Sequence, residues 1–303
     1  MPSRWLGPLA LLGSAIIWGF VPVSTRHVIG TLDAGHILLA RFLVGALAAV
    51  IALGLLRAPA PPKDLILRAA GLGLLGQLGF NVPLAYGIRY VEAGTVALIS
   101  GTSPVFMALL AVPLLNEHLR GRVIAGLVLS IIGSVVVVIV SGGEVSLGQD
   151  QAVGALLILS SAVLWAVYSV IVKPWLGPIP PTSIPMLGSI FGLPLMLPLG
   201  ISGFSSALGD LDAIGWLAVA QFTTLASVVA PILWAVGLQR GEASRAGMYL
   251  YLVPLFGVIA AATLLDEAVG LGTVLGGVLI LGGVIVATLP TRQPAARAVT
   301  TSG

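Results

Sequence analysis

Apolar runs of about twenty residues follow one another along this chain, parted by short breaks of charge, proline or glycine. The breaks leave ten windows, at 7–29, 34–56, 66–87, 93–115, 122–140, 152–172, 184–203, 213–237, 244–265 and 270–289. At 1.5 Å rise per residue, a helix of each window's length crosses about 30 Å of hydrocarbon. Backbone amides inside a bilayer must be satisfied within their own segment, so the windows predict helices. The expected fold is therefore an all-α polytopic membrane protein with ten transmembrane helices. Residues 290–303 are polar and small, and predict a disordered tail.

The polar residues inside the windows carry the candidate chemistry. Trp18 falls midway along the first window, with Ser14 one turn before it and Pro22 one turn after. Trp165 with Ser161 repeats the device in the sixth window, and Gln77 and Asn81 stand one turn apart in the third. In the eighth, Gln221, Thr224, Ser227 and Trp234 are spaced near helical turns and form a possible facing wall. Tyr86 is placed to gate or to anchor at the interface, and Tyr168, Tyr249 and Tyr251 are weaker candidates. Pro104 and Pro254 remove backbone donors in mid-window, freeing the carbonyls of Ser100 and Leu250; with Pro22 they are the expected hinges. Arg41 lies about two turns into the second window, and either snorkels to headgroups or meets a substrate carboxylate.

Composition narrows the class. Of 303 residues 58% are hydrophobic and only 8% charged, with a mean hydropathy of +1.11, against roughly 25% charged in a soluble domain. A net charge of +3, thinly dispersed, gives no basis for nucleic-acid binding. There is no cysteine, and His27, His36 and His118 are scattered, so neither a cofactor nor a metal is expected. No Asp or Glu lies near the middle of any window. A carrier that exchanges protons for cations uses a buried carboxylate, so the cargo is expected to be neutral or zwitterionic. Eleven basic residues collect on the side of the amino terminus, while Arg26 and Arg89 share the other side with most of the acids. By the positive-inside rule both termini are cytoplasmic.

The two halves of the chain match each other. At an offset of 150, Glu92 falls on Glu242, Pro104 on Pro254, Glu117 on Glu267, Gly126 on Gly276 and Gly133 on Gly283. At a slightly different offset Ser14 and Trp18 fall on Ser161 and Trp165. Five windows per copy is an odd number, so the second copy enters the membrane inverted, with a substrate site expected at the midplane between the two. The expected division is 1–145, 146–289 and the tail 290–303.

The repeated proline, the acidic helix ends (Asn116-Glu117, Asp266-Glu267), the glycine-laced last helix and Arg41-Phe42 resemble the EamA-type family of the drug/metabolite transporter superfamily. One departure is Asn116-Glu117 and Asp266-Glu267 where that family often has Gly-Glu. The resemblance implies two five-helix repeats around a central cavity in a bacterial inner membrane. Within the family the similarity is greatest to exporters of amino acids, aromatic ones among them. The function so implied is export of small amphipathic metabolites by alternating access, with substrate contacts from Trp18, Arg41, Gln77, Asn81, Tyr86, Ser100, Trp165, Tyr168, Ser227 and Trp234. The expected partners are a small-molecule substrate and the lipid bilayer, and the expected state is a monomer or weak homodimer.

Three alternatives stand beside it. A multidrug exporter holding cations in an aromatic cage is the nearest. An intramembrane enzyme built on Gly101-Thr102-Ser103-Pro104 lacks a histidine at matching depth. A passive channel lacks rings of charge.

Overall fold

The structure is a computed structural model, and it describes residues 5–55, 57–90, 96, 99–140, 149–264 and 270–289. Every regular element among them is helical: α1 (Leu6–Gly19), α2 (Val21–Val28), α3 (Ala34–Val50), α4 (Ile66–Gly87), α5 (Ser103–Leu115), α6 (Gly121–Val140), α7 (Gln149–Val172), α8 (Ser183–Gly200), α9 (Phe204–Gly209), α10 (Ala213–Ala220), α11 (Ala230–Gln239), α12 (Ala243–Met248), α13 (Leu252–Leu264) and α14 (Leu271–Thr288). A π-helical turn at Ile51–Leu55 extends α3, another at Gln221–Val229 joins α10 to α11, and a 3-10 turn at Tyr249–Tyr251 joins α12 to α13. Among the described residues, seven helical stretches are long and apolar enough to cross a membrane, and the apolar helices Ser103–Leu115, Gly121–Val136 and Val274–Thr288 are shorter. Asp266, Glu267 and the tail lie outside the described residues.

The described residues of the windows are largely helical but not regular throughout, and most of 93–98, in the fourth window, lies outside the described residues. The first breaks at Gly19–Phe20, and Pro22 opens α2 in its first turn. Pro104 likewise opens α5, and Pro254 is the third residue of α13, just past the 3-10 turn. The three prolines thus sit at the starts of helical segments, where a missing N–H costs nothing, and not in unbroken mid-helix positions. Pro83, Pro113, Pro194 and Pro198 are the ones inside helices. The six-residue α9 is a polar-rich turn that a hydropathy window passes over.

Glycines set how closely the helices approach. A Cβ on Gly126 would lie 2.5 Å from the carbonyl oxygen of Gly283, and one on Gly133 2.7 Å from that of Gly276. These contacts rise along α6 as they fall along α14, so the pair is antiparallel. Between them Ser130 Oγ donates to Ile280 O at 3.4 Å. Gly126, Gly133, Gly276 and Gly283 are thus used in packing within the chain. Helices α3 and α8 also pack antiparallel, Gly45 against Ser189 and Gly192 against Phe42. Gly237 meets Gly7 and Leu11 where α1 crosses α11, and Gly87 meets Gly154 and Ile158 where α4 crosses α7.

One end of the bundle is tied by Glu117. Its neighbour Asn116 ends α5 with φ at 53°, a left-handed conformation that glycine and asparagine tolerate. The turn directs the Glu117 carboxylate inward. It pairs with Lys173 Nζ at 2.7 Å and accepts from Ala243 N at 2.6 Å, Ser244 N at 3.0 Å and Ser244 Oγ at 2.8 Å. These contacts cap α12 and join the loop after α5 to the end of α7 and the start of α12. Burial works to raise this carboxyl, but the bonds from Lys173, Ser244 and Ala243 outweigh it and hold it below the ordinary glutamate value.

Candidate functional site

Three indoles meet in the middle of the bundle. Trp18 and Trp165 pack edge to face with ring centres 5.4 Å apart, and Trp234 lies 5.9 Å from the first and 5.7 Å from the second. Phe80 (5.1 Å) and Tyr168 (5.4 Å) extend the cluster from Trp165. The five residues come from four helices, with Trp165 and Tyr168 both on α7 and the others on α1, α4 and α11. Such aromatic pairs contribute about 0.5–1.5 kcal/mol each beyond their buried area, so the cluster is a firm contact between helices.

The π-helical segment beside it explains the arrangement. Ala230 N donates to Leu225 O, five residues back. In that register the next donor, at 231, would serve Ala226 O, but residue 231 is proline and has no N–H. Trp18 Nε1 takes the place and donates to Ala226 O at 3.0 Å. The next carbonyl, Ser227 O, accepts from Gln77 Nε2 at 3.4 Å. Ser227 Oγ donates back to Phe222 O at 2.7 Å and accepts from Arg41 Nε at 2.7 Å. Gln221 Nε2 reaches Ile17 O at 2.9 Å. Residues of α1, α3 and α4 thus converge on one irregular stretch.

A polar strip runs on from there. Asn81 Nδ2 donates to Gln77 O at 2.7 Å, and both side chains are buried. Ser161 Oγ donates to Phe80 O at 2.8 Å and fastens α7 to α4. Several buried polar atoms are left without a partner among the described residues: the donors Trp165 Nε1 and Trp234 Nε1, and the acceptors Asn81 Oδ1 and Gln221 Oε1. An orphaned group of this kind costs about 1–3 kcal/mol, so four in one region mark a place where structure has been subordinated to something else.

The structure gathers Trp18, Arg41, Gln77, Asn81, Trp165, Tyr168, Ser227 and Trp234 into this centre. It does not gather the others. Tyr86 packs against the separate cluster around Leu38, Phe42 and Met196, with Arg89 stacked over its ring at 5.3 Å. Ser100 stands just before the break at Gly101-Thr102 and makes no side-chain hydrogen bond among the described residues. Thr224 is exposed, because the wider π turn rotates it outward and turns Thr223 in. Arg41 does not snorkel: its Nε is held inside the bundle. Phe80 and Pro231 were not singled out from sequence. A proline ten residues after the polar Gln221 was the available signal for freed carbonyls.

The sequence profile of the EamA-like transporter family matches residues 5–139 and, separately, 152–289. The chain belongs to the EamA-like transporter family. Among the relatives of this EamA-like transporter is a "Probable terminal-alkyne amino-acid exporter" of Streptantibioticus cattleyicolor, 28% identical, covering 91% of each chain. A "Probable amino-acid metabolite efflux pump" of Salmonella typhimurium is also 28% identical, over 94% of this chain and 95% of the relative. An "Uncharacterized transporter" of Archaeoglobus fulgidus is 30% identical over 73% of this chain and 77% of its own. A solved crystal structure at 22% identity superposes with a TM-score of 0.76, covering 94% of this chain and 97% of the other, which shows the shared fold. The family and the relatives' names are those of transporters, not enzymes.

Proposed function

We propose that this EamA-like transporter is a secondary carrier exporting small amphipathic metabolites, neutral or aromatic amino acids foremost, across a bacterial inner membrane. The observation that carries the reading is the indole cluster beside a polar strip with unpartnered donors and acceptors. Flat apolar walls next to orphaned hydrogen-bonding groups suit a cargo with an apolar side chain and a polar head. Two relatives are named for amino acids or their metabolites, which supports the same cargo class.

The proposed architecture is two inverted five-helix repeats, 1–145 and 146–289, with the tail 290–303 and both termini in the cytoplasm. Two separate matches to one family profile support the duplication. The crossing of α6 and α14 supports the inversion. Gly126 pairs with Gly283 and Gly133 with Gly276, while Ser130 and Ile280, 150 residues apart, face each other. A shift of 150 exchanges these contacts with one another, as a two-fold axis perpendicular to the antiparallel helices would. That axis lies in the membrane plane. Trp18 and Trp165, which occupy matching positions, also touch. Three shorter apolar helices beside the seven long ones support a count of ten crossings. The cargo is carried by parting the indoles first toward one side and then toward the other.

Counterflow in proteoliposomes loaded with unlabelled amino acids tests this reading, with labelled threonine, methionine, phenylalanine and tryptophan outside. Saturable accumulation of at least one, lost in Trp18→Ala protein that remains folded, is the expected result. No accumulation of any of them by folded protein overturns the cargo class.

A further inference from the structure

We infer that the cargo group selected by this site is a carboxylate, and that an ammonium group on the cargo is dispensable. The transporter therefore takes small apolar monocarboxylates as well as amino acids. The inference rests on the proposal that the indole cluster and its polar strip hold the cargo.

Charge at the site is one-sided. Among the described residues, Arg41 is the only charged side chain that hydrogen-bonds into the cluster. It lies on a membrane helix, about 10 Å from its start at 1.5 Å per residue. No described Asp or Glu is within ion-pair distance of it, whereas Glu117 and Asp212 have basic partners elsewhere. The acids nearest the described helix ends serve there as caps, Asp33 on α3 and Asp212 on α10. A guanidinium stays protonated at any physiological pH, so the site carries a permanent positive charge.

Among the described residues, Arg41 hydrogen-bonds through Nε alone, to the Ser227 hydroxyl at 2.7 Å. That bond fixes the plane of the guanidinium and leaves its terminal amino groups as a fork for a carboxylate. The Trp165 and Trp234 N–H groups add two neutral donors in the same region. The free acceptors there, Asn81 Oδ1 and Gln221 Oε1, are neutral amides, able to receive a hydroxyl or an ammonium without compensating its charge. A monocarboxylate neutralises the site. A zwitterion leaves it with one charge, and a bare ammonium raises it to two in a water-poor interior. The order of preference is therefore monocarboxylate or amino acid first, and amine far behind.

Tryptophan fluorescence of the purified protein reads this order directly. The titrants are phenylalanine, 3-phenylpropanoate (no ammonium) and phenethylamine (no carboxylate). The expected result is that 3-phenylpropanoate binds within a few-fold of phenylalanine, and phenethylamine at least tenfold more weakly. Arg41→Gln, shown folded by size exclusion, narrows that gap to less than threefold, and Arg41→Lys keeps part of it. Phenethylamine binding as well as phenylalanine overturns the inference, as does an undiminished gap in Arg41→Gln or an absence of binding by 3-phenylpropanoate. If phenylalanine shows no counterflow while 3-phenylpropanoate binds in an Arg41-dependent manner, the amino-acid assignment falls and the carboxylate inference stands.

Discussion

Trp18 joins two tasks in one side chain, since its ring packs on Trp165 and Trp234 and its N–H satisfies Ala226 O. Trp18→Phe keeps most of the ring and orphans that carbonyl. Its expected cost is about 1–3 kcal/mol, read as a lowered Tm in detergent. Glu117 is the second residue whose surroundings make a sharp forecast. Its pKa is depressed in the folded protein, so its contribution is present above the unfolded-state value and is lost as pH falls through the folded one. Thermal unfolding followed from neutral to acid pH should therefore show a steep loss below the ordinary carboxylate range, and Glu117→Gln should flatten it while lowering Tm at pH 7. Sequence alone reached Trp18 and Trp165 because their positions match in the two halves, and Gln77 and Asn81 because amides are conspicuous in an apolar window. It passed over Phe80, which sits between those amides and reads as a lipid-facing ring until its distance to Trp165 is known.

Helix positions were legible because hydropathy reports which stretches can lie in lipid, and α4 spans the same residues as its window. Helix irregularities were not, because hydropathy is blind to backbone hydrogen bonding. The π segment is the main instance: with regular 3.6-residue spacing Thr224 shares a face with Ser227, but in the wider turn it is exposed. Pro231 holds that segment open by withholding a donor from Ala226 O. Pro231→Ala supplies an N–H that competes with Trp18 for this carbonyl. The expected result is at least a tenfold loss of counterflow rate with helix content unchanged by circular dichroism. At the crossing of α6 and α14 the controlling feature is the absence of side chains. Gly126→Val places a Cβ 2.5 Å from Gly283 O, and should cost about 1–3 kcal/mol by overpacking, visible as a lower Tm.

Taken whole, the molecule is a set of broken helices whose breaks converge on one aromatic centre. Pro22, Pro104 and Pro254 each lie in the first turn of a helical segment, which supports the proposal that they act as hinges of the carrier. Glu117 with Lys173 and α12 tie one end, and His36 with Ser202 and His27 with Asp212 tie the opposite one. The proposed duplication was legible in the matched glycines and prolines. The contact of Trp18 with Trp165 was not, since a matched pair need not meet unless it lies on the axis relating the halves. With no cysteine in the chain, spin labels can be placed one pair at a time. The most direct measurement labels Lys63 with Arg240 at one end and Ile29 with Ile201 at the other, and records both distances with and without phenylalanine. Alternating access predicts that cargo lengthens one distance distribution and shortens the other. Distances that stay fixed, or that lengthen together as in a channel opening at both ends, would contradict a carrier built around the three tryptophans.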